Sequence, residues 1–198
     1  MKLVKNELKL ENSIYSLKIT LHKGKPEIWR RVLVPSSFNL GKLHQVIQIT
    51  MGWTNSHLHE FEIEKVRYIN PEHDPDDFDT EHVRAKNEKR AKLFEVAKLG
   101  DSFFYRYDFG DGWDHEVKVE AVLEKDEIFH YPVCTEGAGA CPPEDCGGMG
   151  GYGELIEHIN KPKHKEHRAT LRWLGGQFDP SSFDANRINR DGLWRKRW

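Results

Sequence analysis

From Phe103 to Ala121 the chain reads FFYRYDFGDGWDHEVKVEA, two alternating runs on either side of Gly110-Asp111-Gly112. Successive side chains of a strand point to opposite faces, so each run offers one apolar and one charged face. Phe103, Tyr105, Tyr107 and Phe109 share a parity before the glycines, and Trp113, His115, Val117, Val119 and Ala121 share one after them. Glycines supply the backbone angles a tight reversal needs, so the stretch predicts a β-hairpin with one covered face. That pattern excludes an all-helical fold.

The same period recurs. YSLKITL (15–21) alternates, HKGKPE turns, and IWRRVLV (28–34) returns before Pro35. In SHLHEFEI, the residues His57, His59, Phe61 and Ile63 share a face opposite Glu60, Glu62 and Glu64. With the acids in water, His57, His59 and His115 are expected to be buried on the covered side of a sheet. Helical periodicity appears from Leu40 to Met51, with Leu40, Leu43, Val46 and Ile47 as its stripe, Asn39 as N-cap and Gly52 beyond its end. AKLFEVAKLG reads as a short helix closed by Gly100. GELIEHIN and KEHRATLRWLGG read as two C-terminal helices, and DPSSFDANRINR opens on a cap and turn. The expected fold is α+β: one domain, a mainly antiparallel sheet with helices on one face, and the Cys/Gly/Pro-rich segment Tyr131 to Gly153 closing one edge as a loop. NPEHDPDDFDTEHVR (70–84) reads as a solvated loop.

Composition narrows the class. The chain has 198 residues, 37% hydrophobic and 31% charged, with a net charge of −2. Such a chain can bury a real core and carries no global basic field toward nucleic acid or anionic membrane. No apolar run approaches the ~20 residues of a membrane span, and MKLVKNELKLENS lacks the apolar core of a secretory signal. The expected location is cytoplasmic, with no membrane partner. The three cysteines cannot pair off completely and are expected as free thiols.

Two constellations could carry chemistry. His57, His59, Asp108, Asp111, Trp113 and His115 form a candidate pocket: imidazoles two apart on a strand plus another on the hairpin suit one metal, and Trp53 or Trp113 could wall it. The structural alternative is a set of buried, hydrogen-bonded polar groups. Cys134, Cys141 and Cys146 are the second, a zinc set that His115 or His130 could complete, against ordinary thiols in a turn. The glycines from Gly147 to Gly153 lack the Gly-Lys-Ser/Thr of a phosphate loop, so close backbone packing is the expectation. Arg195, Lys196 and Arg197 between Trp194 and Trp198 could combine charge and stacking on nucleic acid.

Five stretches resemble, in order, the signatures of the plasmid pRiA4b ORF-3-like family: GKPEIWRRVLVP, LHQVIQITMGWTNSHLHEF, YRYDFGDGWDHEV, ACPPEDCGGMGGYGEL and WLGGQFDPSSFD. The resemblance runs from about Tyr15 to about Ile188, and implies a domain over residues 13–190 with a basic, aromatic tail at 191–198. The family is bacterial and archaeal, often met on plasmids and mobile elements. Some of its members carry transposon-resolvase or repressor-like labels, but no helix-turn-helix or resolvase serine motif supports either here. The leading expectation is a non-enzymatic interaction or accessory protein with a protein or nucleic-acid partner. The alternative is a metal-dependent hydrolase or nuclease built on the His/Asp cluster.

Overall fold

A computed structural model describes residues 7–24, 27–72, 85–126, 128 and 131–198. Among them eight strands form one sheet: β1 Ser13–Leu21, β2 Ile28–Pro35, β3 His59–Ile63, β4 Val66–Ile69, β5 Lys86–Asn87, β6 Ser102–Tyr107, β7 Trp113–Glu124 and β8 Val133–Ala138. Their spatial order is β5-β4-β3-β6-β7-β1-β2-β8. Every pairing is antiparallel except β4 with β5. Five helices complete the fold: α1 Leu40–Met51, α2 Leu93–Val96, α3 Gly148–Asn160, α4 His167–Trp173 and α5 Ala185–Asp191. This is the expected mainly antiparallel α+β domain.

The alternation is realised face by face. Leu17, Ile19 and Leu21 of β1, Ile28 and Val32 of β2, Phe61 of β3, Tyr105 of β6 and Val117 and Val119 of β7 join one core with Leu40, Leu43, Val46 and Ile47 of α1. Full burial of each aliphatic side chain contributes roughly 1.5–3 kcal/mol. The opposite face carries cross-strand ion pairs. Arg31 meets Glu120 and Glu136, and Arg106 meets Asp114 at 2.6 Å and Glu60 at 3.8 Å. Asp114 on the charged face of β7 therefore has a cation partner.

Helix α1 starts and stops where its sequence dictates. The Asn39 side chain accepts from the Lys42 N–H at 2.9 Å, and Gly52 takes a left-handed conformation with its N–H bonded back to Gln48.

Three expectations need correction. The Cys/Gly/Pro segment is not all loop: Val133–Ala138 pairs with β2 as the edge strand. Helix α3 begins at Gly148, so its glycines lie inside its first turns rather than before it. A Cβ on Gly148 would stand 2.4 Å from the Asp111 carbonyl oxygen, and one on Gly151 would stand 1.8 Å from that of Cys146. Gly148 thus permits close backbone packing of the helix start on the β6–β7 turn, and Gly151 permits it on the loop that precedes the helix. Lastly, the terminal segment is no free tail, because Leu193 is fully buried and Trp198 stacks on Phe38 at 5.5 Å. The acidic stretch at 73–84 and His130 lie outside the described residues.

Candidate functional site

The β6–β7 hairpin turns through Asp108 to Gly112. Asp108 adopts φ 55° and Gly112 φ 67°. The Asp108 carbonyl accepts from the Gly112 N–H at 2.6 Å, while its Oδ1 accepts from the N–H groups of Gly110 and Asp111 at 3.0 and 3.3 Å. One carboxylate oxygen therefore builds the turn and leaves Oδ2 for another partner. The Asp108 N–H donates to the Leu58 carbonyl at 2.9 Å, which draws the segment before β3 against the turn.

That segment carries His57. Its Nε2 is shielded from solvent and lies 3.6 Å from Asp108 Oδ2 and 3.1 Å from Asp145 Oδ1, yet neither contact has hydrogen-bond geometry. One ligand atom from each of His57, Asp108 and Asp145 lies within 4.8 Å of the other two, a spacing that could hold a metal ion. Asp145, like Asp108, sits in the left-handed region, at φ 59°. Such conformations cost energy for residues other than glycine and concentrate at functional sites.

Asp145 is delivered by a clamp on the loop before α3. Trp53 Nε1 donates to the Pro142 carbonyl at 2.9 Å. Glu144 accepts from the Thr54 N–H at 2.9 Å, the Thr54 hydroxyl at 2.6 Å and the Tyr107 hydroxyl. Burial raises the Glu144 carboxyl, but the hydrogen bonds from Thr54 and Tyr107, with the charge of His57, outweigh it and hold the group below the usual glutamate value. Burial and Glu144 together push the Tyr107 phenol well up, so it stays a donor.

The remaining candidates separate from this cluster. His59 is buried and bonds Glu88 at 2.7 Å while stacking on His44 at 3.5 Å between ring centroids. His115 is fully buried between Tyr105 and Trp53, with Nδ1 on the Trp113 carbonyl at 3.0 Å, and burial lowers its pKa to about 4. Trp113 is fully buried under Trp53 and is core rather than the wall of an open pocket. Asp111 accepts from the Gly147 N–H at 3.2 Å and ties the hairpin to α3. His57 is only half-buried, because β3 starts at His59 and strand parity does not govern His57.

The cysteine set also needs correction. Among the described residues the grouping capable of holding a metal is His57, Asp108 and Asp145, and the three sulfurs do not form one. Cys134 is on β8, bonded through its backbone to Asn189 of α5, whereas Cys146 Sγ donates to the Gly148 carbonyl. Burial pushes the Cys134 thiol up to about 11 and the Cys146 thiol to about 12, and raises Cys141 as well. They are protonated thiols at neutral pH.

Sequence reading missed Asp145. It lies in the loop, and only the clamp through Glu144 and Trp53 brings it to His57. The left-handed Asp145 precedes Cys146-Gly147-Gly148, a local signal of a strained turn but not of a histidine partner.

Eight-stranded α+β architecture, the hairpin turn and the glycine-cushioned helix start define a particular class of domain. The chain belongs to the plasmid pRiA4b ORF-3-like protein family, whose description matches residues 13–187. It is 38% identical over 180 residues to the uncharacterized protein y4hQ of Sinorhizobium fredii (strain NBRC 101917 / NGR234), covering 90% of each chain. It also resembles the crystal structure of MM3350, a protein of unknown function from Methanosarcina mazei Go1. That match has a TM-score of 0.79 and 36% identity, and covers 88% of this chain and 95% of the other.

Proposed function

We propose that this protein is a non-enzymatic, nucleic-acid-binding accessory protein of plasmids or mobile elements that holds a divalent cation between His57, Asp108 and Asp145. One observation carries the reading: Asp145 and Trp173 line the same cleft, of about 330 Å³, between α3 and α4. On α4 and the segment before it Lys163, Lys165, Arg168 and Arg172 are exposed, and so is the Trp173 ring. Cations that neutralise phosphates, an aromatic face for a base and a metal that bridges phosphate oxygens are the parts such binding uses. The family's plasmid description supports the mobile-element setting.

The titratable groups around the cluster favour binding over catalysis. Glu144 is engaged by Thr54 and Tyr107, His59 by Glu88, and His115 is sealed in the core. A general base must be within reach of the proton it takes. A second reading, a metal-dependent nuclease, draws on the exposed Asp145 side chain, which leaves coordination positions open to solvent.

Fluorescence anisotropy with labelled single-stranded and duplex oligonucleotides, with and without Mg²⁺ or Mn²⁺, tests both. Salt-sensitive binding without strand cleavage, weakened by Lys165→Ala with Arg168→Ala, is the expected result. Cation-dependent cleavage lost in Asp145→Asn supports the nuclease. No binding to either oligonucleotide overturns both readings.

A further inference from the structure

Arg30 is an unusual residue for its position. It shares the covered face of β2 with Ile28 and Val32 and is 3% exposed. Its Nε donates to the Thr50 carbonyl at 3.0 Å, and its Nη1 donates to the carbonyls of Trp29 and Ala138, both at 2.8 Å. The Phe183 ring lies 5.0 Å from the guanidinium carbon. Three of five N–H groups are thus satisfied by neutral carbonyls. Among the described residues no carboxylate pairs with the charge and Nη2 makes no hydrogen bond, and Nη2 is not among the unpartnered atoms sealed from solvent. A buried charge ordinarily has a counter-charge.

Arg30 lines a cavity of about 350 Å³ beneath α5, with Arg187 and Ser182 on its rim and Ile49, Phe183 and Ile188 as apolar wall. Two acids also line it, and each has a local partner. Asp184 caps α5 by accepting from the Arg187 N–H at 2.9 Å, and Asp191 pairs with Arg190 at 3.1 Å and Arg195 at 3.6 Å. Arg30 thus meets this cavity with no carboxylate paired to its guanidinium among the described residues.

We propose that this cavity is an oxyanion-binding site: a carboxylate or phosphate group takes the Nη2 donors of Arg30, with Arg187 and Ser182 closing over it. A planar fork with free donors suits such oxygens, and the apolar wall suits a small organic body attached to them. The site is separate from the His57 cluster and does not depend on the cation reading.

Isothermal titration of the full chain with inorganic phosphate and with acetate, in the presence of chelator, reads the site directly. The two anions tell a phosphate ligand from a carboxylate one. Saturable one-to-one binding of either is expected, weakened about tenfold or more in Arg187→Ala and in Arg30→Lys, as loss of a charge-assisted hydrogen bond implies. Arg187 is exposed, so its variant keeps the fold and decides the matter alone should Arg30→Lys unfold. No binding of either anion, or binding undiminished in Arg187→Ala, overturns the proposal.

Discussion

Nε2 of His57 stands 3.1 Å from Oδ1 of Asp145, a contact made only because the Glu144 clamp carries the loop before α3 across the end of the sheet. Three tyrosine, threonine and tryptophan donors hold that loop, so its position is set by hydrogen bonds rather than by apolar packing alone.

The clamp should be acid-sensitive. The Glu144 carboxyl is lowered in the folded protein, so its stabilisation is complete above the ordinary glutamate pKa of about 4.3 and is lost as pH falls through the lower folded value. Glu144→Gln should flatten the pH dependence of the thermal midpoint in that acid window and lower stability at pH 7. An unchanged acid profile would remove Glu144 from the account.

His115 acts at higher pH. Its folded pKa of about 4 lies below an unfolded value of about 6.5, so the unfolded chain binds the proton first. Stability is full above about 6.5 and falls as pH drops from there toward 4, by about 3 kcal/mol across the window. Denaturant melts of His115→Asn should lose this slope. Retention of the full slope would show that the proton goes elsewhere.

Glycine substitutions separate backbone contact from helix propensity. A Cβ at Gly148 or Gly151 would collide with a carbonyl oxygen, whereas Gly150 has nothing within 4 Å. Gly148→Ala and Gly151→Ala should each destabilise by more than about 1 kcal/mol, and Gly150→Ala should be neutral or stabilising by up to about 1 kcal/mol. Equal melting points for all three would contradict the close packing of α3 on the hairpin at Gly148 and on its own entry loop at Gly151.

The thiols should be slow to alkylate. Iodoacetamide at pH 7.5 is expected to label the native chain far more slowly than the denatured one, since burial pushes Cys134 up to about 11 and Cys146 to about 12. Rapid labelling of any of the three in the native state would contradict that burial.

Local pattern carried the reading where local chemistry decides the structure. Alternation placed β1, β2 and the β6–β7 hairpin, and the Asn39 and Gly52 caps bounded α1, because parity and capping are properties of neighbouring residues. His59 and His115 followed their parity into the interior. His57 did not, since it precedes the first paired residue of β3. Asp145 was illegible for a different reason: its place depends on contacts from Thr54 and Tyr107, far away in the chain. Edge strand β8 hid in the same way, its pairing with β2 interrupted by a register shift beside Arg31 and Val32. Arg30 shares the parity of Ile28 and Val32 on the covered face, but a strand pattern alone did not single it out.

The cation site is tested most directly by Mn²⁺ titration of the purified, untagged chain followed by electron paramagnetic resonance of the free ion. One saturable Mn²⁺ per chain is predicted, lost in His57→Ala and in Asp145→Asn while the circular dichroism spectra of both variants match the parent. Absence of a bound ion in the parent chain, or binding unchanged in both variants, would contradict a cation held by His57, Asp108 and Asp145.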